Sequence, residues 1–284
     1  MLLSAFGFSC MSMFVKLSAA RGIPVIEIVA ARAIISVVLS YLMVRRIKTP
    51  LFGHNKKLLI ARGLVGTMAL SMVYYSITQL PLAVATVIQF LNPVFAALLG
   101  LWLLKEYIRA SLIWCIALSL IGVSIMTLAP SLGSSVLNAQ ALESAQFPPV
   151  AVAMGLGGAF LSGLAYIVVR KLSLTEEPAV IVFYFPLVAL PIALPFVIID
   201  FVMPDALTLV YLGLVGCFTQ VGQIYITKAM KLENAGKVAA YGYTQIVFAT
   251  LLGVFFLTEI PTVHTLIGTG LIIVGAFINM KSKS

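Results

Sequence analysis

The chain is 284 residues long, 62% hydrophobic and only 10% charged, with a formal net charge of +9. A water-soluble domain carries about 25% charged residues, so this composition excludes a solvated globular surface. Apolar runs of roughly 18–22 residues recur throughout and the mean hydropathy is +1.13, which points to an all-α integral membrane protein.

Taken in order, apolar runs bounded by charges or prolines predict ten spanning helices. They fall near 2–20, 24–44, 58–78, 82–104, 110–129, 150–170, 179–201, 207–229, 237–257 and 262–280. The first run lacks a basic n-region and a small-residue cleavage pattern before Lys16, so it reads as a span and not as a signal peptide. Pro24, Pro81, Pro178 and Pro261 sit where a helix begins or a turn closes. Pro93, Pro186, Pro191 and Pro195 fall inside spans, where the missing N–H is expected to kink the helix and free carbonyls.

Orientation follows from lysine and arginine. The loop after the second span holds Arg45, Arg46, Lys48, Lys56 and Lys57, with Arg62 at the start of the next helix, which places that loop in the cytoplasm. Alternating from there, the cytoplasmic side also collects Lys105, Arg109, Arg170, Lys171, Lys228, Lys231, Lys237, Lys281 and Lys283. Fifteen of the eighteen basic residues then lie inside, with both termini. The positive balance is a topology signal; it is not gathered into an aromatic-interleaved stripe of the kind nucleic acid needs. Cys10, Cys115 and Cys217 lie in apolar segments and read as packing residues, and His54 and His264 sit at loops, so no metal site or cofactor is expected.

The chain repeats itself. Sliding residues 81–106 by 153 positions lays Phe95 on Phe248, Ala96 on Ala249, Gly100 on Gly253 and Glu106 on Glu259. Gly63-Leu64-Val65-Gly66 recurs as Gly213-Leu214-Val215-Gly216, and Gly122 maps to Gly275. The polar stretch 130–149 is the seam between a unit at 1–129 and a second at 150–284. Five spans is an odd number, so the second unit enters the membrane from the opposite side. Ten transmembrane helices as two inverted five-helix repeats are the expected architecture, one that suits alternating access.

The stretches LPLAVATVIQFLNPVFAALLGLWLLKE and YGYTQIVFATLLGVFFLTE resemble the fourth-helix and ninth-helix signatures of EamA-type proteins in the drug/metabolite transporter superfamily. RGLVGTMALSMVYYSITQLPLA resembles the start of that family's third helix. The resemblance covers nearly the whole chain. It implies a ten-helix carrier whose central cavity is lined by helices 1–4 and 6–9, with the fifth and tenth peripheral. One departure stands out: Pro93 has Ile246 as its repeat partner, so the two halves need not bend alike.

The residues themselves narrow the chemistry. Arg32 lies about eight positions into a span, roughly 12 Å deep at 1.5 Å per residue. A charge there costs about 2.5–3.5 kcal/mol or more, so it is expected to face the interior or water, either paired with Glu27 or receiving an anionic group of a substrate. Gln89 and Asn92 share a helix face, as do Tyr241, Thr244 and Gln245; Gln220, Gln223 and Thr227; and Ser71, Tyr75 and Thr78. Interhelical hydrogen bonds explain any one of these faces; several together favour a wet cavity. The substrate-binding candidates are therefore Arg32, Tyr75, Gln89, Asn92, Gln220, Gln223, Tyr241 and Gln245. Glu106 and Glu259 are expected to bind backbone N–H groups or a basic side chain at helix ends. Ala96-x-x-x-Gly100 and Ala249-x-x-x-Gly253 are expected to let helices approach closely. No nucleophile with its base, phosphate-cradling loop or paired catalytic acids is present, so an enzyme is not expected. The sequence predicts a secondary transporter of a small polar or amphipathic metabolite in the cell membrane, acting as a monomer or homodimer. A channel or lipid-handling membrane protein is the alternative.

Overall fold

The computed structural model describes residues 1–48, 50, 52–80, 82–135, 148–199, 201–257 and 263–281. Those residues form helices and short connections, with no strand among them. Pro81, Glu143, Asp200, Glu259, Pro261, Lys283 and most of the 130–149 seam lie outside the described residues. The helices are α1 (Leu2–Ala19), α2 (Val25–Ile47), α3 (Lys56–Gln79), α4 (Leu82–Gln89), α5 (Asn92–Leu103) and α6 (Ala110–Ser135). They continue with α7 (Pro149–Ser173), α8 (Pro178–Ile199), α9 (Ala206–Leu232), α10 (Ala235–Ala240), α11 (Thr244–Leu257) and α12 (Val263–Lys281). Among the described residues, eight helical segments are long and apolar enough to cross a membrane. They include α4 with α5 as one segment, and α10 with α11 as another. Besides these, α3 carries Lys56, Lys57 and Arg62 in its first two turns, and α6 is apolar over Ala110–Met126.

The expected fourth and ninth spans are each interrupted. Pro93 has no N–H to give the Gln89 carbonyl four residues back. The N–H groups of Val94 and Phe95 turn to the Leu91 carbonyl instead, at 3.0 and 3.2 Å, and helix resumes with Pro93 in its first turn. The Phe90 carbonyl accepts from the Tyr243 hydroxyl at 2.6 Å, and the two rings stack with centroids 5.5 Å apart. Tyr243 closes the single 3-10 turn Tyr241–Tyr243 that separates α10 from α11. Ile246 stands where a proline would, yet the ninth span breaks as well, and the two breaks are bonded to each other. By contrast α8 remains one helix over Pro186, Pro191 and Pro195.

The helices pack in related pairs. α3 lies along α7 as α1 lies along α9; α9 meets α2 as α8 meets α3; α5 meets α7 as α11 meets α1. In the last of these, Phe95–Phe160 and Phe248–Phe6 are both edge-to-face pairs at 5.7 Å and 82°. Small residues set the distances. A Cβ on Gly163 of α7 would stand 2.8 Å from the Phe95 Cβ and 2.9 Å from the Ala96 nitrogen, so α5 and α7 approach closely at Ala96, whereas a Cβ on Gly100 would meet Glu106 Oε2 at 3.1 Å and Ile167 only at 3.7 Å. Cys10 and Cys115 are buried as packing residues, whereas Cys217 is exposed on the outward face of α9, a correction to the expectation for that residue.

The two ends of the bundle are closed differently. At the end carrying Arg45–Lys57, the basic end, Glu176 accepts from the N–H groups of His54 and Asn55 at 2.7 and 2.6 Å. Gly53 turns there with φ +58°, and a Cβ on it would come within 2.7 Å of Glu176 Oε2. Glu106 accepts from Arg170 Nε at 3.0 Å and from the Ala235 N–H at 2.8 Å, while Arg170 also donates to the Met230 carbonyl. Glu106 thus takes both kinds of donor expected of it. The largest core cluster, including Val44, Leu59, Leu172, Val180 and Met230, fills this end. At the opposite end Arg21 meets Asp205 at 2.8 Å, and the Val202 N–H donates to Glu27 Oε2 at 3.1 Å. Asp205 also caps α9; the Thr208 hydroxyl and N–H, with Arg21, hold its carboxyl below the usual range. The core clusters at this end are small: Ile23, Ile28, Leu212 and Val215 in one, Leu80, Ala85 and Ala151 in another.

Candidate functional site

Between α2, α3, α8 and α9 runs a narrow crevice that begins at Phe185 and continues towards the opposite end. Arg32, Ser36, Thr219 and Gln223 line its inner part, against Val182, Phe185 and Pro186. Thr67 and Ser71 of α3, with Ile192 and Ala193 of α8, line its continuation. Arg32 leaves α2 roughly 10 Å along the axis from Val25. Its guanidinium lies 3.9 Å from the Met11 sulfur and 5.9 Å from the centroid of the Phe185 ring. Glu27, the alternative partner weighed from sequence, directs Oε2 to the Val202 N–H.

The structure brings Arg32 and Gln223 together and distributes the other candidates. Gln220, buried one turn away, donates to Ser40 Oγ at 2.8 Å, an interhelical bond of the simple structural kind. Gln89 and Asn92 flank the α4–α5 break. Tyr241 sits at the other break and lines an apolar cleft of about 500 Å³ with Leu2, Val247, Phe248 and Phe277. Gln245 accepts at its carbonyl from Ser9 Oγ at 2.8 Å. Tyr75 is 42% exposed on α3. The Thr67 and Ser71 hydroxyls back-bond within their own helix, to the carbonyls of Gly63 and Thr67.

Arg62 requires a correction. It is not a loop charge at the start of a helix; it lies in the second turn of α3, only 8% exposed. Its guanidinium is 4.9 Å from the centroid of the same Phe185 ring. The lysines six and five positions earlier made it look like part of the solvated basic loop. The only sequence signal was Gly66, one helical turn on, where a Cβ would meet Arg62 Nη1 and the Phe185 ring.

Apolar outer faces, with Trp102 77% and Phe255 75% exposed, surround a mostly apolar crevice that holds Arg32, Ser36, Thr219 and Gln223, in a bundle of membrane-length helices. That arrangement defines a multi-pass membrane protein of the transporter class. The chain belongs to the EamA-like transporter family, whose model matches residues 1–128 and 149–281. It is 32% identical over 282 residues to the pseudopaline exporter CntI of Pseudomonas aeruginosa, covering 99% of this chain and 94% of that protein. Solute carrier family 35 member G1 of Mus musculus is 31% identical, over 96% of this chain and 74% of its own. The S-adenosylmethionine uptake transporter of Rickettsia felis is 25% identical, over 78% and 74%. A solved crystal structure superposes with a TM-score of 0.77 at 17% identity, covering 97% of this chain and 95% of its own, which shows the fold. The protein is a membrane transporter.

Proposed function

We propose that this transporter is a secondary carrier that moves a small polar or amphipathic metabolite bearing an anionic group across the cell membrane by alternating access. The observation that carries the proposal is Arg32: a permanent cation in the crevice between four helices, beside Gln223, Ser36 and Thr219. Relatives named for pseudopaline export and for S-adenosylmethionine uptake agree with a metabolite cargo.

The architecture proposed for it is ten spans in two inverted units, 1–129 and 150–284, with both termini cytoplasmic. Support comes from the packing pairs, which interchange when each span is replaced by the one five later. The matched 5.7 Å aromatic pairs behave in the same way. So do the caps: Asn55 accepts from the Leu58 N–H at the start of α3, as Asp205 does from Thr208 at the start of α9. Contacts between connections also respect the alternation. Asp205 and Val202 meet Arg21 and Glu27 at one end, and Glu176 meets His54 and Asn55 at the other. We read the basic end as the more firmly closed of the two, from its larger buried cluster and its buried Glu106–Arg170 pair.

Uptake of a metabolite panel into proteoliposomes, with and without a pH gradient, tests the reading. Saturable uptake of an anionic or zwitterionic metabolite is expected. Flux that rises linearly with concentration would indicate a channel, and no solute movement at all would reject transport by this site.

A further inference from the structure

Arg62 is the least explained charge in the molecule. Its side chain is buried, and its Nε and Nη1 have no hydrogen-bond partner. A buried guanidinium left in this way is costly, because the N–H groups on those two nitrogens have given up water and gained nothing directional in return. The ring of Phe185 meets the cation but accepts none of those bonds. The one ionisable group whose charge Arg62 senses among the described residues is the tyrosine Tyr166 of α7, and no described carboxylate bonds to it. The described acids are engaged elsewhere or face outward: Glu27 with Val202, Glu106 with Arg170, Glu176 with His54 and Asn55, Asp205 with Arg21, Glu233 with Lys237, and Glu177 exposed. In this rotamer the guanidinium lies against Gly66, where a Cβ would meet Nη1 and, at 2.9 Å, the Phe185 ring. A buried cation without a counter-charge is one that an anion can satisfy once the helices around it part.

We infer that Arg62, with Tyr166 and Phe185, forms a second oxyanion-binding station on the translocation path, separated from Arg32 by the Phe185 ring. This rests on the reading of the Arg32 crevice as the substrate route. Arg32 lines the crevice and leaves α2 seven residues from its opposite-end start, while Arg62 leaves α3 six residues from its basic-end start; the two guanidinium carbons lie 5.9 and 4.9 Å from the Phe185 centroid. A carboxylate or phosphate held by Arg32 would pass to Arg62 when the bundle reopens to the basic side, with Phe185 as the partition between them. A planar fork with several donors suits either oxyanion.

The test uses purified full-length protein in detergent and two probes, acetate and inorganic phosphate, each compared with chloride at equal ionic strength. Wild type and Arg32→Gln should both show a rise in Tm of about 2 °C or more with at least one probe. Arg32→Gln with Arg62→Gln should show none. A response to phosphate alone marks a phosphoryl site, and a response to both marks a general oxyanion site. If Arg62→Gln does not fold, Arg62→Lys in the Arg32→Gln background serves instead; it keeps the charge, loses the fork, and should reduce the shift. No shift in Arg32→Gln, or a shift that survives loss of Arg62, overturns the inference. Proteoliposome exchange by wild type, read alongside, separates this result from failure of the transport reading.

Discussion

Arg32 and Arg62 share one aromatic ring but were not equally visible in the sequence. Arg32 stands out because it interrupts an apolar run well away from other charges. Arg62 follows Lys56 and Lys57 closely, and local charge density cannot distinguish a solvated lysine from an arginine that the helix turns inward beneath Phe185. The glutamine and tyrosine faces show the same limit. Helical spacing puts Gln220 and Gln223 on one side of α9, yet only packing decides that Gln220 binds Ser40 while Gln223 faces the crevice. For Arg32 the fork geometry of guanidinium matters, so Arg32→Lys should lower uptake about tenfold, the worth of roughly 1.4 kcal/mol, with size-exclusion behaviour unchanged. Because Glu27 is committed to the Val202 N–H, combining Arg32→Gln with Glu27→Gln should not restore uptake. Recovery in that double variant would make Arg32 a brace for Glu27 and remove it from the substrate route.

Hydropathy and flanking charges mark where a span leaves the bilayer, which is why the helix limits agree with expectation to within three residues, except that α6 runs to Ser135, six residues into the expected seam. The interruptions were half legible. Pro93 announces the break before α5, but nothing as strong marks Tyr241–Tyr243, where the break depends on the partner helix. The bond between the breaks gives them a measurable energy. Tyr243 is 1% exposed, so Tyr243→Phe leaves the Phe90 carbonyl without its donor in a dry place. The expected cost is about 1–3 kcal/mol, read as a lower Tm in detergent; an unchanged Tm would mean the two breaks are held by ring stacking alone. Helix contact can be tested in the same assay. Gly163→Leu should cost about 1–3 kcal/mol through collision with Phe95 and Ala96. Gly213, with no atom within 4 Å of a Cβ, should accept alanine with no loss and a gain of up to about 1 kcal/mol. Equal effects at both glycines would refute the close-packing argument.

Across the whole molecule the sequence predicts a repeat from the spacing of its glycine and glutamate landmarks, but it carries no mark of the conformational state, which depends on which ends meet. The proposed orientation predicts opposite labelling of two single cysteines in a background with Cys10, Cys115 and Cys217 replaced. Met203→Cys, 81% exposed at the α8–α9 connection, should react with an impermeant thiol reagent in intact cells, and Asn55→Cys should not. Reaction of both would refute the alternation. The closures then decide how the carrier turns over. Arg21–Asp205 is 40% and 59% exposed, so water and salt screen it to within about 1 kcal/mol. Glu106–Arg170 is 12% and 16% exposed and is tied as well to the Ala235 N–H and the Met230 carbonyl, so losing the carboxylate strands a buried cation. The seal at the basic end is therefore the stronger one, and weakening it should shift the population towards opening on that side. A cysteine at Ser36, a crevice position whose hydroxyl has no partner to lose, reports the shift. In inside-out vesicles Glu106→Gln should raise its labelling rate about tenfold, the effect of roughly 1.4 kcal/mol on a two-state equilibrium. Arg21→Gln should change that rate less than about threefold. If both substitutions act equally, or if Glu106→Gln slows labelling, the Glu106–Arg170 pair is a brace within one state and the barrier between states lies elsewhere.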